Sequence, residues 1–240
     1  MKKVITLSLA LFVVAITNAQ WKKVKGNGNV VTIERSTGDY EAVSVSGFFD
    51  VELVDGNEGE LTLKGEENLL DHIITEVKDG KLVIKVEKGK NLQPSNWKDG
   101  IHITVPVESI KGVSLSGSGD IVGKTKLKAD DFSTSMSGSG DITLEVEANT
   151  LSTSMSGSGD ISLSGSAGDF DVSISGSGDI KAYELEAENV EAQVSGSADI
   201  RVTVNGMLKA RVSGSGDIHY RGNPTKIDSK SSGSGDISRG

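Results

Sequence analysis

The hexapeptide Ser-Gly-Ser-Gly-Asp-Ile occupies residues 116–121 and returns letter for letter five more times along the chain. A seventh copy, at 195–200, differs only in having Ala198 at the position of the second glycine. The aspartates of the seven copies are Asp120, Asp141, Asp160, Asp179, Asp199, Asp217 and Asp236. Successive aspartates are 18 to 21 residues apart. A nearly constant period of this length is typical of the coils of a solenoid.

The residues around each copy alternate in polarity. From Phe170 to Ile180 every second residue is apolar or glycine, and each residue between them is serine or aspartate. A period of two predicts a β-strand with one buried face. Because equivalent strands recur once per coil, we expect them to stack in parallel about 4.8 Å apart. The sequence therefore predicts an all-β, right-handed parallel β-helix with coils of about 19 residues.

The alternation places both glycines of the hexapeptide on the inward side, and the serines and the aspartate on the outward side. Ala198 indicates that the second glycine is needed for its small size, since a left-handed backbone angle would strain an alanine. We expect this small residue where a narrow core is pinched. The reason for the first glycine stays open at this stage.

Because equivalent residues of successive coils lie above one another, the seven aspartates are expected to form a structural repeat ladder. Carboxylates about 5 Å apart repel by roughly 0.8 kcal/mol in water, so the ladder requires compensation. We expect each carboxylate to accept hydrogen bonds from backbone N–H groups or serine hydroxyls. Cations along the ladder are the alternative. The calcium-binding β-roll nonapeptide does not match, because here aspartate directly follows glycine and each coil has one motif.

Residues 1–19 have the features of a secretory signal peptide, with cleavage expected after Ala19. Its apolar run of about 13 residues is shorter than the ~20 needed to span a bilayer, and no later segment is predicted to cross a membrane. We expect an exported protein in the periplasm, on the outer surface or in the medium. The mature chain divides into an N-terminal lead-in strand at 20–38 and a β-helix domain at 39–240, made of an irregular part (39–112) and the coils (113–240).

The irregular part is predicted to be an atypical, β-rich N-terminal cap for the solenoid. Asp79-Gly80 indicates a type I′ hairpin over 77–84, and 66–73 is the one segment with a plausible helical turn. Short strands are expected at 30–35, 42–45, 60–64 and 101–105, with Pro106 ending the last. Residues 44–51 resemble a degenerate eighth copy of the repeat. At the other end the chain stops mid-coil, which leaves an uncapped C-terminal edge available for self-association.

Few residue patterns indicate a catalytic, metal-binding or nucleic-acid-binding site. A net charge of −9 argues against nucleic-acid binding, and there is no cysteine. His72, His102 and His219 lack metal-ligand spacing, and the repeat serines have no neighbouring histidine. No phosphate-binding loop is present. We therefore predict no catalytic, cofactor-binding or metal-binding residues and no cofactor.

Several segments together resemble a known family. They are 68–73 (Asn-Leu-Leu-Asp-His-Ile), the hairpin at 77–84, Ile-Thr-Val-Pro at 103–106, and the coils themselves. In this order they resemble the "putative auto-transporter adhesin, head GIN domain" family over residues 39–222. The resemblance implies an exported protein of the kind abundant in Bacteroidota, a right-handed β-helix and an adhesin-like label that assigns no binding residues.

These observations predict a non-catalytic, adhesin-like or structural protein at the cell envelope or surface, with a surface ligand or glycan as its partner. The alternative is a polysaccharide-binding or polysaccharide-cleaving β-helix, since stacked carboxylates about 5 Å apart match the spacing in retaining glycosidases. A carboxylate that recurs seven times is more typical of a structural feature than of a catalytic pair.

Overall fold

The computed structural model describes residues 22–97 and 100–240, so the predicted signal peptide at 1–19 lies outside the described residues. These residues form eighteen β-strands and one short helix. The N-terminal elements are β1 (Lys22–Lys25), β2 (Val30–Ser36), β3 (Ala42–Gly47), β4 (Asp50–Asp55), β5 (Glu60–Glu66), α1 (Glu67–Leu70), β6 (Ile73–Lys78), β7 (Lys81–Val86), β8 (Lys90–Gln93) and β9 (His102–Val107).

The coils supply the remaining strands. They are β10 (Gly112–Gly117), β11 (Ile121–Gly138), β12 (Ile142–Gly157), β13 (Ile161–Gly176), β14 (Ile180–Gly196), β15 (Ile200–Gly214), β16 (Ile218–Arg221), β17 (Lys226–Gly233) and β18 (Ile237–Arg239). Consecutive coils pair in parallel with like residues opposite each other, as in Ser137 beside Ser156 and Gly138 beside Gly157. The predicted parallel β-helix is confirmed.

The extended backbone continues from each hexapeptide to the next. Strands β11 to β15 are continuous and 15 to 18 residues long. Three of the four pairs that these strands form contain shifts in register, for example between Val122 and Lys126 where β11 pairs with β12. Parallel pairing with the neighbouring coil resumes on the far side of each shift, so adjacent coils stay in register over most of their length.

The upstream segment at 44–51 is a true member of the stack. Ser46 and Gly47 of β3 lie opposite Ser116 and Gly117 of β10, and Val51 of β4 lies opposite Ile121 of β11. The predicted hairpin is also present, between β6 and β7. Asp79 and Gly80 have φ angles of 51° and 71°, as a type I′ turn requires.

Two features of the cap differ from the sequence prediction. Pro106 does not end its strand, because β9 runs on to Val107 and Pro106 lies opposite Val54. The pairing of β9 with β5 stops at Thr104, so Pro106 is on an edge where its missing N–H costs no ladder bond. The lead-in at 20–38 contains two strands, β1 and β2, where one was predicted.

Neither glycine of the hexapeptide has room for a β-carbon, because the backbone carbonyl of the equivalent residue in the preceding coil is too close, and the first glycine also has an unusual backbone angle. The first has a positive φ in six coils, between 124° at Gly196 and 153° at Gly176, a region that disfavours residues with a β-carbon. The second needs space: a β-carbon on Gly178 would overlap the backbone carbonyl of Gly159 in the preceding coil. Small size is therefore required, but by contact between stacked coils and not by a narrow core as the alternation suggested.

The core is a series of columns along the helix axis. Phe132, Leu151, Phe170, Val190 and Leu208 lie in register and are all buried. At the C-terminal end, β17 and β18 each pair with one strand, β15 and β16 respectively, and every residue of β17 is exposed. Self-association through this edge stays a prediction.

Candidate functional site

The structure brings the seven ladder aspartates into one column. Each carboxylate from Asp120 to Asp217 accepts the backbone N–H of the next aspartate through its Oδ1 atom. The six N···O distances lie between 2.7 and 3.3 Å. The longest, 3.3 Å, is the bond from Asp199 to Asp179, in the coil that carries Ala198. The carboxylates are thus acceptors for the backbone of the next coil, the arrangement expected from the repeat.

Two cations lie beside the middle of this column. Lys181 Nζ is 2.6 Å from Asp160 Oδ2, and Arg201 joins Asp179 (3.0 Å) to Asp199 (3.3 Å). Partial burial raises the pKa of the Asp160 carboxyl, but the hydrogen bonds from Lys181 and from the Asp179 backbone outweigh it and hold that pKa below its usual value. These two cations are side chains of the protein itself, and binding of metal cations along the ladder stays untested.

The three histidines lie apart from one another and have different partners. His72 Nδ1 contacts Glu87 at 2.7 Å, His102 lies 3.7 Å from Asp50, and His219 contacts Ser238 Oγ at 3.1 Å. Within residues 22–97 and 100–240, no group of three or more His, Asp or Glu side chains is arranged to hold a metal ion.

A different site is formed where the cap meets the first coils. A groove of about 690 Å³ opens there, within the size range of small-ligand sites. Its lining combines aromatic, basic and small polar residues. These are Ser46, Gly47, Phe48, Lys85, Val86, Lys88, Lys90, Asn91, Leu92, Trp97, Ser116 and Ser118. We call it the aromatic groove.

The two aromatic rings of the groove contact each other. Trp97 lies 5.5 Å from Phe48, centroid to centroid, at an interplanar angle of 63°, a favourable edge-to-face geometry. Phe48 in turn lies 5.3 Å from the ring of Phe49, which is fully buried in the core. Trp97 is 65% exposed. Trp97 is thus held at the surface because its ring packs on Phe48, which in turn packs on the buried Phe49.

The segment that carries Trp97 is tied to the cap by Glu66. The Glu66 side chain is only 5% exposed, and its two oxygens accept the N–H groups of Gly28 (2.5 Å) and Ser95 (2.8 Å). Burial raises the pKa of this carboxyl, but the hydrogen bonds from Ser95 and Gly28 outweigh it and leave the pKa below its usual value. One buried carboxylate therefore joins the lead-in strands to the loop two residues before Trp97.

Sequence reasoning missed this groove, although a signal was present. The upstream copy reads Ser-Gly-Phe-Phe-Asp-Val where later coils read Ser-Gly-Ser-Gly-Asp-Ile. Phe48 and Phe49 thus replace the Ser-Gly pair of the repeat, and a departure from a repeat is more informative about a ligand than the repeat itself. The position of Trp97 beside them depends on the cap and could not be derived from periodicity.

Another groove, of about 440 Å³, crosses β11 to β14. It is lined mainly by hydroxyls, among them Ser133, Ser135 and Ser152, and also by Asp171 and Glu191. None of the residues lining it is aromatic. We therefore regard the aromatic groove as the better candidate.

The fold and these surfaces define a cysteine-free parallel β-helix whose repeat carboxylates hold adjacent coils together. The chain belongs to the family described as "Putative auto-transporter adhesin, head GIN domain", whose sequence profile matches residues 39–224. The family predicted from the sequence is confirmed. No curated protein matches the chain.

Several solved structures are similar along nearly their whole length. A putative adhesin from Bacteroides fragilis superposes with a TM-score of 0.83 at 24% identity, covering 90% of this chain and 99% of its own. A putative lipid binding protein from Parabacteroides distasonis gives 0.75 at 29% identity, covering 91% and 100%. A putative adhesin from Parabacteroides merdae gives 0.70 at 23%, covering 91% and 99%. Among the described residues, no helix is both long enough and apolar enough to cross a bilayer.

Proposed function

We propose that this protein is an exported, non-catalytic, adhesin-like β-helix that binds a glycan in the aromatic groove. The observation that carries the proposal is the 65% exposed Trp97 packed at 5.5 Å against Phe48. Exposing an indole ring to water is unfavourable. Trp97 is nevertheless held at the protein surface by its contact with Phe48 and is not buried in the core.

The chemistry of the groove suits a sugar. The C–H face of a pyranose ring is flat and apolar, so it covers an aromatic side chain while its hydroxyls remain at the edge. Hydroxyl and amide groups are available at that edge in Ser46, Ser116, Ser118 and Asn91. A few polar groups around an apolar surface are typical of sites that orient a ligand.

A non-catalytic role is supported by the way the ladder aspartates are used. Asp160 accepts the N–H of Asp179 and also the ammonium of Lys181, and equivalent backbone bonds recur along the column. Carboxylates engaged in this way connect coils, and we assign a structural role to the six that accept such a bond, from Asp120 to Asp217. The similar structures described as putative adhesins and as a putative lipid binding protein also support a binding role.

The proposal is tested by applying the purified protein to a glycan array together with Trp97→Ala, Trp97→Phe and the matched control Met207→Ala. Met207 is also an exposed apolar side chain, at 41%, but it lies in a distant coil. We expect loss of the bound glycans with Trp97→Ala, retention of most binding with Trp97→Phe, and no change with Met207→Ala. Equal binding by all four proteins would contradict a site at Trp97.

Two further measurements test the other parts of the proposal. Incubation with the bound polysaccharides should leave their chain length unchanged, and depolymerisation that is lost on substituting a ladder aspartate would overturn the non-catalytic assignment. Cell fractionation should place the protein in the periplasm, the outer membrane or the medium, and recovery in the cytoplasm would contradict export.

A further inference from the structure

We infer that the ligand of the aromatic groove is an acidic polysaccharide, whose carboxylate or sulfate groups meet Lys88 and Lys90 while a sugar ring covers Trp97. This inference rests on the proposed function, since it names the chemical class of the glycan at the same site. It is carried by the distribution of charge around the groove.

The three lysines of the groove differ in how fully they are neutralised. Lys85 Nζ lies 2.6 Å from Glu76 Oε1, so its charge is largely engaged. Lys90 lies 3.9 Å from Glu87, whose carboxylate has a closer partner in His72 at 2.7 Å. Lys88 is exposed and has no acidic partner within 4.0 Å among the described residues. The positive charge available to a ligand is therefore greatest at Lys88, and Lys90, whose side chain is 19% exposed and whose contact with Glu87 is long, adds to it.

The rest of the lining does not offset this charge. None of the described residues that line the groove is acidic, although the chain as a whole has a net charge of −9. The hydroxyl-lined groove, by contrast, contains Asp171 and Glu191. A groove across the later coils also has basic residues and no acidic ones, Arg211 and Lys230, but Arg211 is paired with Asp228 at 2.7 Å and no aromatic residue lines that groove. The aromatic groove is therefore the place that combines basic side chains with an aromatic surface for a polyanion.

The lysines also continue beyond the groove along a second strand. β1 pairs with β8 in parallel, with Lys22 opposite Lys90 and Lys23 opposite Asn91. Residues opposite each other in such a pair lie on the same face, so Lys22 extends the charge of Lys90 along the ribbon. A row of cations beside an aromatic ring suits a chain of repeating anionic sugars better than a single small anion.

A lipid surface is less well matched. Insertion into a membrane needs several apolar side chains exposed together. The exposed large apolar residues of the described chain are Val30, Trp97, Met207 and Ile227, and Trp97 alone among them lines the groove. One indole surrounded by serines, Asn91 and lysines suits a hydroxyl-rich polymer.

The test uses two polymers with the same sugar backbone, polygalacturonate with ionised carboxylates and its uncharged methyl ester, with affinities measured by calorimetry on the full protein. We expect polygalacturonate to bind about tenfold more tightly. The double variant Lys88→Gln/Lys90→Gln should remove that difference. Lys226→Gln, a change at an exposed lysine in β17, is the matched control and should have no effect. Raising NaCl from about 50 mM to about 300 mM should weaken only the polygalacturonate complex.

The outcomes separate this inference from the proposed function. Equal affinities for the two polymers, both lost with Trp97→Ala, would overturn the acidic ligand and leave a glycan site in place. Failure of Trp97→Ala to affect either polymer would overturn both proposals. Binding to vesicles of anionic phospholipid, with neither polymer recognised, would overturn the polysaccharide assignment in favour of a lipid.

Discussion

Asp160 and Asp179, in consecutive coils, are joined by a hydrogen bond from the backbone N–H of Asp179 to the carboxylate of Asp160, with an N···O distance of 3.0 Å. The other oxygen of Asp160 is 2.6 Å from Lys181 Nζ. The same backbone bond repeats along the column, so side chains that would repel one another serve as acceptors between coils. This explains how seven stacked carboxylates are tolerated in one protein.

Two substitutions at Asp160 should separate the stability that comes from the backbone hydrogen bond with Asp179 from the stability that comes from the ion pair with Lys181. Asp160→Ala removes the acceptor for Asp179 and the partner of Lys181, and we expect it to lower the free energy of unfolding by about 1–2 kcal/mol. Asp160→Asn keeps an acceptor oxygen and loses only the partly exposed ion pair, so it should cost less than about 1 kcal/mol. Urea unfolding of the three proteins measures both. Equal losses would contradict the role of the backbone hydrogen bond.

Lowering the pH should weaken the hydrogen bonds that the Glu66 carboxylate accepts from Gly28 and Ser95. The pKa of this carboxyl is below its usual value in the folded protein, so the unfolded chain binds more protons in that range. The resulting stability is present above the unfolded pKa of about 4.3 and is lost as the pH falls through the folded pKa. Glu66→Gln should lower the melting temperature at pH 7 and make its fall in acid less steep. The exposed Glu34→Gln is the control, and a wild-type acid profile for Glu66→Gln would refute the prediction.

The second glycine should tolerate a methyl group poorly. A β-carbon on Gly178 would overlap the carbonyl of Gly159, so Gly178→Ala must displace one coil relative to the next. We expect a loss of about 1–3 kcal/mol in unfolding free energy. Gly38→Ala is the control, since a β-carbon there has nothing within 4 Å. The one natural alanine, Ala198, coincides with the longest bond of the ladder, 3.3 Å. A neutral Gly178→Ala would show that the stack adjusts freely.

Replacing a buried threonine of the coils with valine should stabilise the protein. Thr134 and Thr153 are 1% and 3% exposed, and neither hydroxyl has a hydrogen-bond partner. Valines occupy the same core column on either side, Val113 before them and Val172 after. Thr153→Val removes an unsatisfied hydroxyl and keeps the shape, so it should stabilise the protein by about 1 kcal/mol. Ser135→Ala, which removes an exposed hydroxyl from the neighbouring strand β11, should have little effect. Destabilisation by Thr153→Val would mean that the hydroxyl has a partner such as a buried water.

The coils were predictable because their information is local and repeated. The alternation around Phe170 fixes which side chains are buried, and the constant step fixes parallel stacking. What the sequence could not provide was the contact between coils. The overlap that excludes a β-carbon at Gly178 involves a carbonyl 19 residues earlier, and only the stacking distance reveals it. The continuation of β9 through Pro106 likewise depends on where the pairing with β5 ends.

The aromatic groove was harder to predict because its parts come from distant places in the sequence. Phe48, Lys88 and Trp97 are brought together by the cap, whose mixed parallel and antiparallel pairings follow no repeat. Glu66 positions the Trp97 segment through backbone N–H groups, which leave no trace in the residue pattern. The Phe-Phe replacement in the upstream copy was the one local sign of a specialised surface.

A crystal structure of the protein with a galacturonate oligosaccharide tests the central claim most directly. We predict a sugar ring lying against the exposed face of Trp97, with a carboxylate within hydrogen-bonding distance of Lys88 or Lys90. An oligosaccharide bound elsewhere, with Trp97 uncovered, would contradict the assignment of the aromatic groove as the ligand site.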